Sequence, residues 1–229
     1  MNLIDGSNNM TNLSELYEIF GKRELAPSLF YDFEYGLRFE LEDTSFYKNN
    51  ISRFIHAFER AKIIINDILF QNNNNIIILI SNFGLSRREE RNKKFIKTLT
   101  QVELPLSTLK YIGKVEQNNK THIKEFGEDL FQHWYCLDLH KKYTDTILWL
   151  SLTKYMPISP KLTHENIYIV DFNRKIICHI YDYRGMDVIA IQSDELLPFY
   201  SKFDNWLFNY DREKMDANFS SVPFSRPII

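Results

Sequence analysis

The chain has 229 residues, with 28 Lys and Arg against 30 Asp and Glu, 44% hydrophobic and 15% aromatic residues, and two cysteines. That length supports one sizeable core, burying roughly 70% of the unfolded surface, and the near-neutral charge supplies no global field to draw nucleic acid or an anionic membrane. No apolar run approaches the roughly 18 residues of a membrane span, no basic-then-apolar leader opens the chain, and Cys136 and Cys178 lie in apolar alternating segments typical of reduced proteins. The chain reads as cytoplasmic, neither secreted nor membrane-spanning.

In chain order, residues 1–12 are polar and aperiodic and read as a flexible N-terminal tail. Asn12 as a cap, Leu13, Leu16, Tyr17 and Phe20 at helical spacing, and Gly21 as a stop predict a first helix. After Gly36, the alternation Leu37-Arg38-Phe39-Glu40-Leu41-Glu42 predicts a strand with three apolar side chains on one face and three charged ones on a wet face. From Asn50 to Phe70, Ile51, Phe54, Ile55, Phe58, Ala61, Ile65, Ile68 and Leu69 form one broad helical stripe. The β-branched run Ile76-Ile77-Ile78-Leu79-Ile80 predicts a strand covered on both faces and central in its sheet.

The basic stretch from Ser86 to Lys97 is helical by propensity, with Ser86 as cap. Beyond Pro105, Leu109 to Val115 and His133 to His140 read as strands around a polar connection near Asn118 to Glu128. Thr144 or Asp145 caps a helix through Ile147, Leu148, Leu150, Leu152 and Tyr155, which Pro157 and Pro160 prevent from continuing. Asn173-Arg174 reads as a two-residue hairpin link between Ile167 to Phe172 and Lys175 to Tyr181, and Met186 to Ile191 follows as a third strand. Two short helical stretches after Ser193 bring Leu196, Leu197, Tyr200, Phe203, Trp206, Leu207 and Tyr210 toward the core, and 220–229 reads as a C-terminal tail. The whole predicts a single α+β domain over 13–219, a mainly antiparallel sheet of about five to seven strands with helices packed against it.

Chemistry-bearing residues converge at one place, the run Tyr181-Asp182-Tyr183-Arg184-Gly185-Met186-Asp187 between two predicted strands. Arg184 is expected to pair with Asp182 or Asp187, and Gly185 can take a positive φ at little cost. Such a turn either ties a corner together or presents charge to a partner, and loops on rigid strands commonly do the latter. Elsewhere the six histidines are scattered without metal-ligand spacing, no Gly-x-Ser-x-Gly elbow or phosphate-cradling glycine loop occurs, and Cys178 and His179 point to opposite faces of one strand. No metal and no cofactor is expected. Glu89 and Glu90 interrupt the basic stretch from Arg87 to Lys97, which favours a solvated helix face over a nucleic-acid site. Glu40, Glu42 and Asp43 are explained by the strand's wet face.

The stretch Ile180-Tyr181-Asp182-Tyr183-Arg184-Gly185-Met186-Asp187-Val188-Ile189-Ala190, followed by Leu196-Leu197, Tyr200-Ser201-Lys202-Phe203-Asp204-Asn205-Trp206-Leu207 and Tyr210-Asp211-Arg212, resembles the bacterial domain-of-unknown-function family numbered 3885. Leu37-Arg38-Phe39-Glu40-Leu41 looks like that family's first strand, so the likeness runs from about Leu13 to Phe219. The family commonly carries a second aspartate where this chain has Tyr183, which speaks against a metal held by two adjacent carboxylates. The resemblance implies a domain boundary and transfers no activity.

Two functions remain open on these residues. The first is a non-catalytic cytoplasmic protein-binding domain, of immunity or antitoxin type with a bacterial toxin as partner, using Tyr181, Asp182, Arg184 and Asp187 for recognition. The alternative is a hydrolase or nuclease-like enzyme in which Asp182 and Asp187 converge with a distant base such as His179 in a concave pocket.

Overall fold

A computed structural model describes residues 13–22, 25–43, 49–70, 74–85, 88–116 and 130–219, with the side chains of 85, 88–93 and 130 excepted. The expected tails, the Ser86 cap, the polar connection near 118–128 and the basic side chains from Arg87 to Lys93 lie outside what is described. Seven strands form one antiparallel sheet: β1 Tyr35–Glu40, β2 Asn75–Leu85, β3 Lys110–Glu116, β4 Leu130–His140, β5 Glu165–Asp171, β6 Ile176–Asp182 and β7 Gly185–Ala190, in the order β1-β7-β6-β5-β2-β4-β3. The chain is thus an α+β domain, with β2 between β4 and β5 as its continuous apolar run requires.

One face of the sheet buries Leu37, Phe39, Ile78, Ile80, Leu137, Ile169 and Val188 beneath α3 (Asn50–Leu69), α4 (Arg88–Gln101), α5 (Thr144–Leu152), α6 (Leu197–Lys202) and α7 (Arg212–Phe219). The other face is covered thinly, by α1 (Leu13–Phe20) and by residues 25–33, which include the single turn α2 (Leu29–Asp32). Trp134 and Tyr168 fill that side, 5.6 Å apart, and the Tyr168 hydroxyl donates to the Leu25 carbonyl at 3.0 Å. A buried tyrosine needs a partner for its hydroxyl, and here the partner is the covering segment itself. The free edge of β1 is closed by the chain after α6: Leu207 bridges Phe39, and the Phe208 amide donates to the Arg38 carbonyl at 2.8 Å.

Several expectations need correction. Arg38 does not lie on a wet face, because α2 and the turn before α7 close over it and leave its side chain 11% exposed. The α3 stripe is rotated in its first turns: Ile51 and Ile55 face solvent, while Ala57 and Ile64 join Ala61, Ile65, Ile68 and Leu69 inside. Neither Thr144 nor Asp145 caps α5; a 3-10 turn over Lys141–Tyr143 leads into it, and the Thr144 hydroxyl donates to the Lys141 carbonyl. The β5–β6 link is longer than two residues, with Asp171 accepting from the amides of Asn173 and Arg174 and Lys175 at positive φ. Tyr210 is solvent-exposed, since the second C-terminal helix starts only at Arg212. Among the described residues, no helix is long and apolar enough to cross a membrane.

Candidate functional site

The site grows from a β-bulge. In β6, Ile180 pairs with Met186 and Asp182 with Gly185, so Tyr181 is the extra residue, and a bulge of this kind re-aims the side chain it carries. The Tyr181 ring lies across Gly185, where a Cβ would collide with its hydroxyl and come within 2.8 Å of the Phe39 carbonyl. The expected positive φ at Gly185 is therefore not the reason for a glycine; the reason is the close approach of Tyr181. Asp182, almost wholly buried, accepts the Arg184 amide at 2.8 Å and the guanidinium through Nε at 3.0 Å and Nη2 at 2.6 Å. Of the two expected partners, Arg184 takes Asp182.

Asp187 belongs to a second constellation. It stands opposite Arg38 across the β1–β7 ladder and is fully buried, accepting Nε at 2.8 Å, Nη2 at 3.2 Å and the Phe30 amide at 3.1 Å. Arg38 also donates through Nη1 to Tyr31 at 3.0 Å and Asp211 at 2.9 Å, and through Nη2 to Ser28 at 3.1 Å. The Tyr31 hydroxyl donates in turn to Asp211 at 2.8 Å. All five N–H groups of a guanidinium are thereby satisfied. The rings of Phe30, Tyr31 and Tyr181 surround the charge, 4.7 to 5.8 Å from its carbon. One arginine so ties β1, β7, the covering segment and the turn before α7.

The electrostatics follow from this packing. Burial works against the Arg38 charge, but Asp187 and Asp211 more than offset it and hold the guanidinium firmly protonated. Burial pushes the Asp187 carboxyl above its ordinary range, against the opposing pull of Arg38 and the Phe30 amide. Tyr181 is likewise raised, by burial first and by Asp187 next. Opposite Asp187 on β6, His179 is buried, stacked 4.5 Å from Tyr168 and bonded through Nδ1 to the Ile167 carbonyl. Burial drops it to about 4, so it stays neutral.

Beside the bulge an open cleft of about 460 Å³ separates the end of β1 from the covering segment. The end of β1 contributes Arg38, Glu40 and Glu42 to its lining, the β6–β7 corner Tyr181 and Arg184, the covering segment Pro27 and Ser28, and the chain after α6 Phe208. Two of the four sequence-selected residues, Tyr181 and Arg184, line it; Asp182 and Asp187 are beneath the surface, each held by its own arginine, and His179 does not reach it. The acids and the base required by the enzymatic alternative therefore do not meet in this cleft. Among the described residues no group of three or more His, Cys, Asp or Glu is arranged to hold a metal ion.

Sequence reasoning missed Arg38, Tyr31, Ser28 and Asp211 as members of one network. Arg38 sits in a regular alternation that reads as a wet face, and Asp211 is 173 positions away. Nothing local announces such a pair. The available signal was the charge in Tyr210-Asp211-Arg212, part of the stretch that carries the family resemblance.

The model of a family described as a domain of unknown function, DUF3885, matches residues 13–211. A Bacillus subtilis (strain 168) protein described as uncharacterized protein YnaE is 22% identical over 218 residues, covering 88% of this chain and 99% of that protein. No solved structure matches the chain. The family match takes in all seven strands, Arg38, Asp187 and Asp211 alike, and the chain belongs to the DUF3885 family.

Proposed function

We propose that this chain is a non-catalytic, cytoplasmic protein-binding domain that meets its partner at the β6–β7 corner and the adjoining cleft. In its finer form the reading is an immunity- or antitoxin-like protein that occupies a bacterial toxin. The observation that carries it is the state of Arg184, whose side chain is 61% exposed while Nε and Nη2 are locked on a buried Asp182. A long charged side chain normally loses its rotamer freedom on binding; one already held has less to lose, and arginine is among the residues that dominate interface energetics. Exposed or half-buried aromatics share this face of the chain: Tyr183 precedes Arg184, Phe208 lines the same cleft with Tyr210 6.4 Å from its ring, and Tyr31 packs on Arg38, a set that suits a protein surface better than a small polar substrate. The reactive groups of the core fit the same reading: the Cys136 thiol is pushed up to about 11 by burial, Cys178 is raised further for the same reason, and both are unpaired.

Affinity purification from the native host with mass spectrometry tests the proposal. The wild-type chain should retain a partner that Arg184→Ala loses and that Lys62→Ala, altered at an exposed ion pair between α3 and α5, keeps. Retention of every partner by Arg184→Ala, with the variant still folded, sinks it.

A further inference from the structure

We infer that the cleft receives a basic side chain of the partner polypeptide, its guanidinium or ammonium group set on Glu40 and its stem between Tyr181 and Phe208. This rests on the protein-binding reading of the same face. Four charged side chains line the cleft, and three have their charge matched within the molecule. Arg38 has spent every donor on Asp187, Asp211, Tyr31 and Ser28. Glu42 is taken by Arg53, with Nε at 3.0 Å, and Arg184 by Asp182. The Glu40 carboxylate alone has no hydrogen-bonding or ionic partner among the described residues; Arg60 reaches only its backbone carbonyl, at 2.7 Å, with its guanidinium carbon 5.1 Å from the Trp206 ring.

Glu40 is half-buried at the end of β1, opposite Gly185, and lines the cleft. A cation placed there is partly withdrawn from water, so its pairing is stronger than that of an exposed surface pair. Tyr181, Phe208 and Pro27 give the flat apolar walls that a guanidinium plane or a lysine stem packs against. An anionic group fits less well: Arg38 has no donor left for it, the Arg184 charge is already matched by Asp182, and two glutamates line the cleft.

The test uses the full chain and three blocked tripeptides, acetyl-Gly-Arg-Gly-amide, its citrulline counterpart and acetyl-Gly-Glu-Gly-amide, titrated while backbone amide resonances are followed. The arginine peptide should bind in the millimolar range and move the resonances of Ser28 and of residues 38–42, 181–185 and 207–208. The citrulline peptide, isosteric but uncharged, should bind at least tenfold more weakly. Glu40→Gln, melting with wild type, should lose the arginine peptide at least tenfold, while Asp145→Asn, a distant carboxylate, leaves it unchanged. Equal binding of arginine and citrulline, full binding by Glu40→Gln, or preference for the glutamate peptide each overturns the inference. A cleft blind to arginine in a protein whose partner capture still depends on Arg184 overturns the cation alone. Arginine binding at Glu40 without Arg184-dependent capture overturns the protein-binding face instead.

Discussion

At the level of single residues, burial works against charge at Arg38 and at His179. Removing one partner of a buried ion pair leaves the other charge uncompensated, at a cost of about 3–5 kcal/mol. Arg38→Ala strands both Asp187 and Asp211 and should lower stability by about that amount in urea unfolding, whereas Arg38→Lys, which keeps the charge but not the planar fork, should fall between. His179 is held at about 4 against an ordinary 6.5, so between those values the unfolded chain binds the proton that the folded chain refuses. Its contribution to stability is present above pH 6.5 and is lost as pH falls toward 4. At pH 5 the loss amounts to about 2 kcal/mol relative to pH 7. Asp187 works in the opposite sense: its folded value is raised, so its contribution favours low pH and is lost as pH rises through that value. Comparing wild type with His179→Gln at pH 5 and pH 7 isolates the histidine; a stability drop of equal size in both proteins would refute its role.

At the level of elements, the bulge in β6 and the glycine at the start of β7 form a matched pair. Gly185→Ala should destabilise by about 1–3 kcal/mol, the range for overpacking, by driving Tyr181 off the strand. The same substitution in a Tyr181→Ala background should cost less, because the two closest contacts of the new Cβ are gone and the Phe39 carbonyl at 2.8 Å is what it still meets, and the difference between the two costs measures the contact. In α3 the exposed first turns and buried later turns make a second contrast. Ile55→Lys should leave the unfolding midpoint within about 0.5 kcal/mol of wild type, while Ile65→Ala should lower stability by about 2–5 kcal/mol. The helix was legible because eight apolar positions keep one period; which turns the sheet reaches was not, because period alone does not say where the neighbouring element ends.

At the level of the whole molecule, the sheet order brings the N-terminal strand β1 beside the late strand β7 and so assembles a site from residues 28 to 211. It also assigns the two cysteines to opposite sides, Cys136 among the residues under α1 and Cys178 in the core beneath α3 and α5. Both thiols should therefore ignore a thiol-reactive dye until the protein is unfolded, and a reductant should leave the unfolding midpoint unchanged. The sequence by itself determined the α+β class, most strands, the long helix and the strand-turn-strand corner at Tyr181 to Asp187, because hydrophobic period, turn residues and caps act over a few neighbouring positions. It also foresaw that Arg184 has an aspartate within the run, a contact two residues long. Only the tertiary structure decided that Asp187 belongs to Arg38, that Gly185 makes room for Tyr181, and that Glu40 is the one cleft charge left unmatched. Those outcomes depend on strand order and on a one-residue bulge, which bring together side chains too far apart in sequence for any local pattern to relate them.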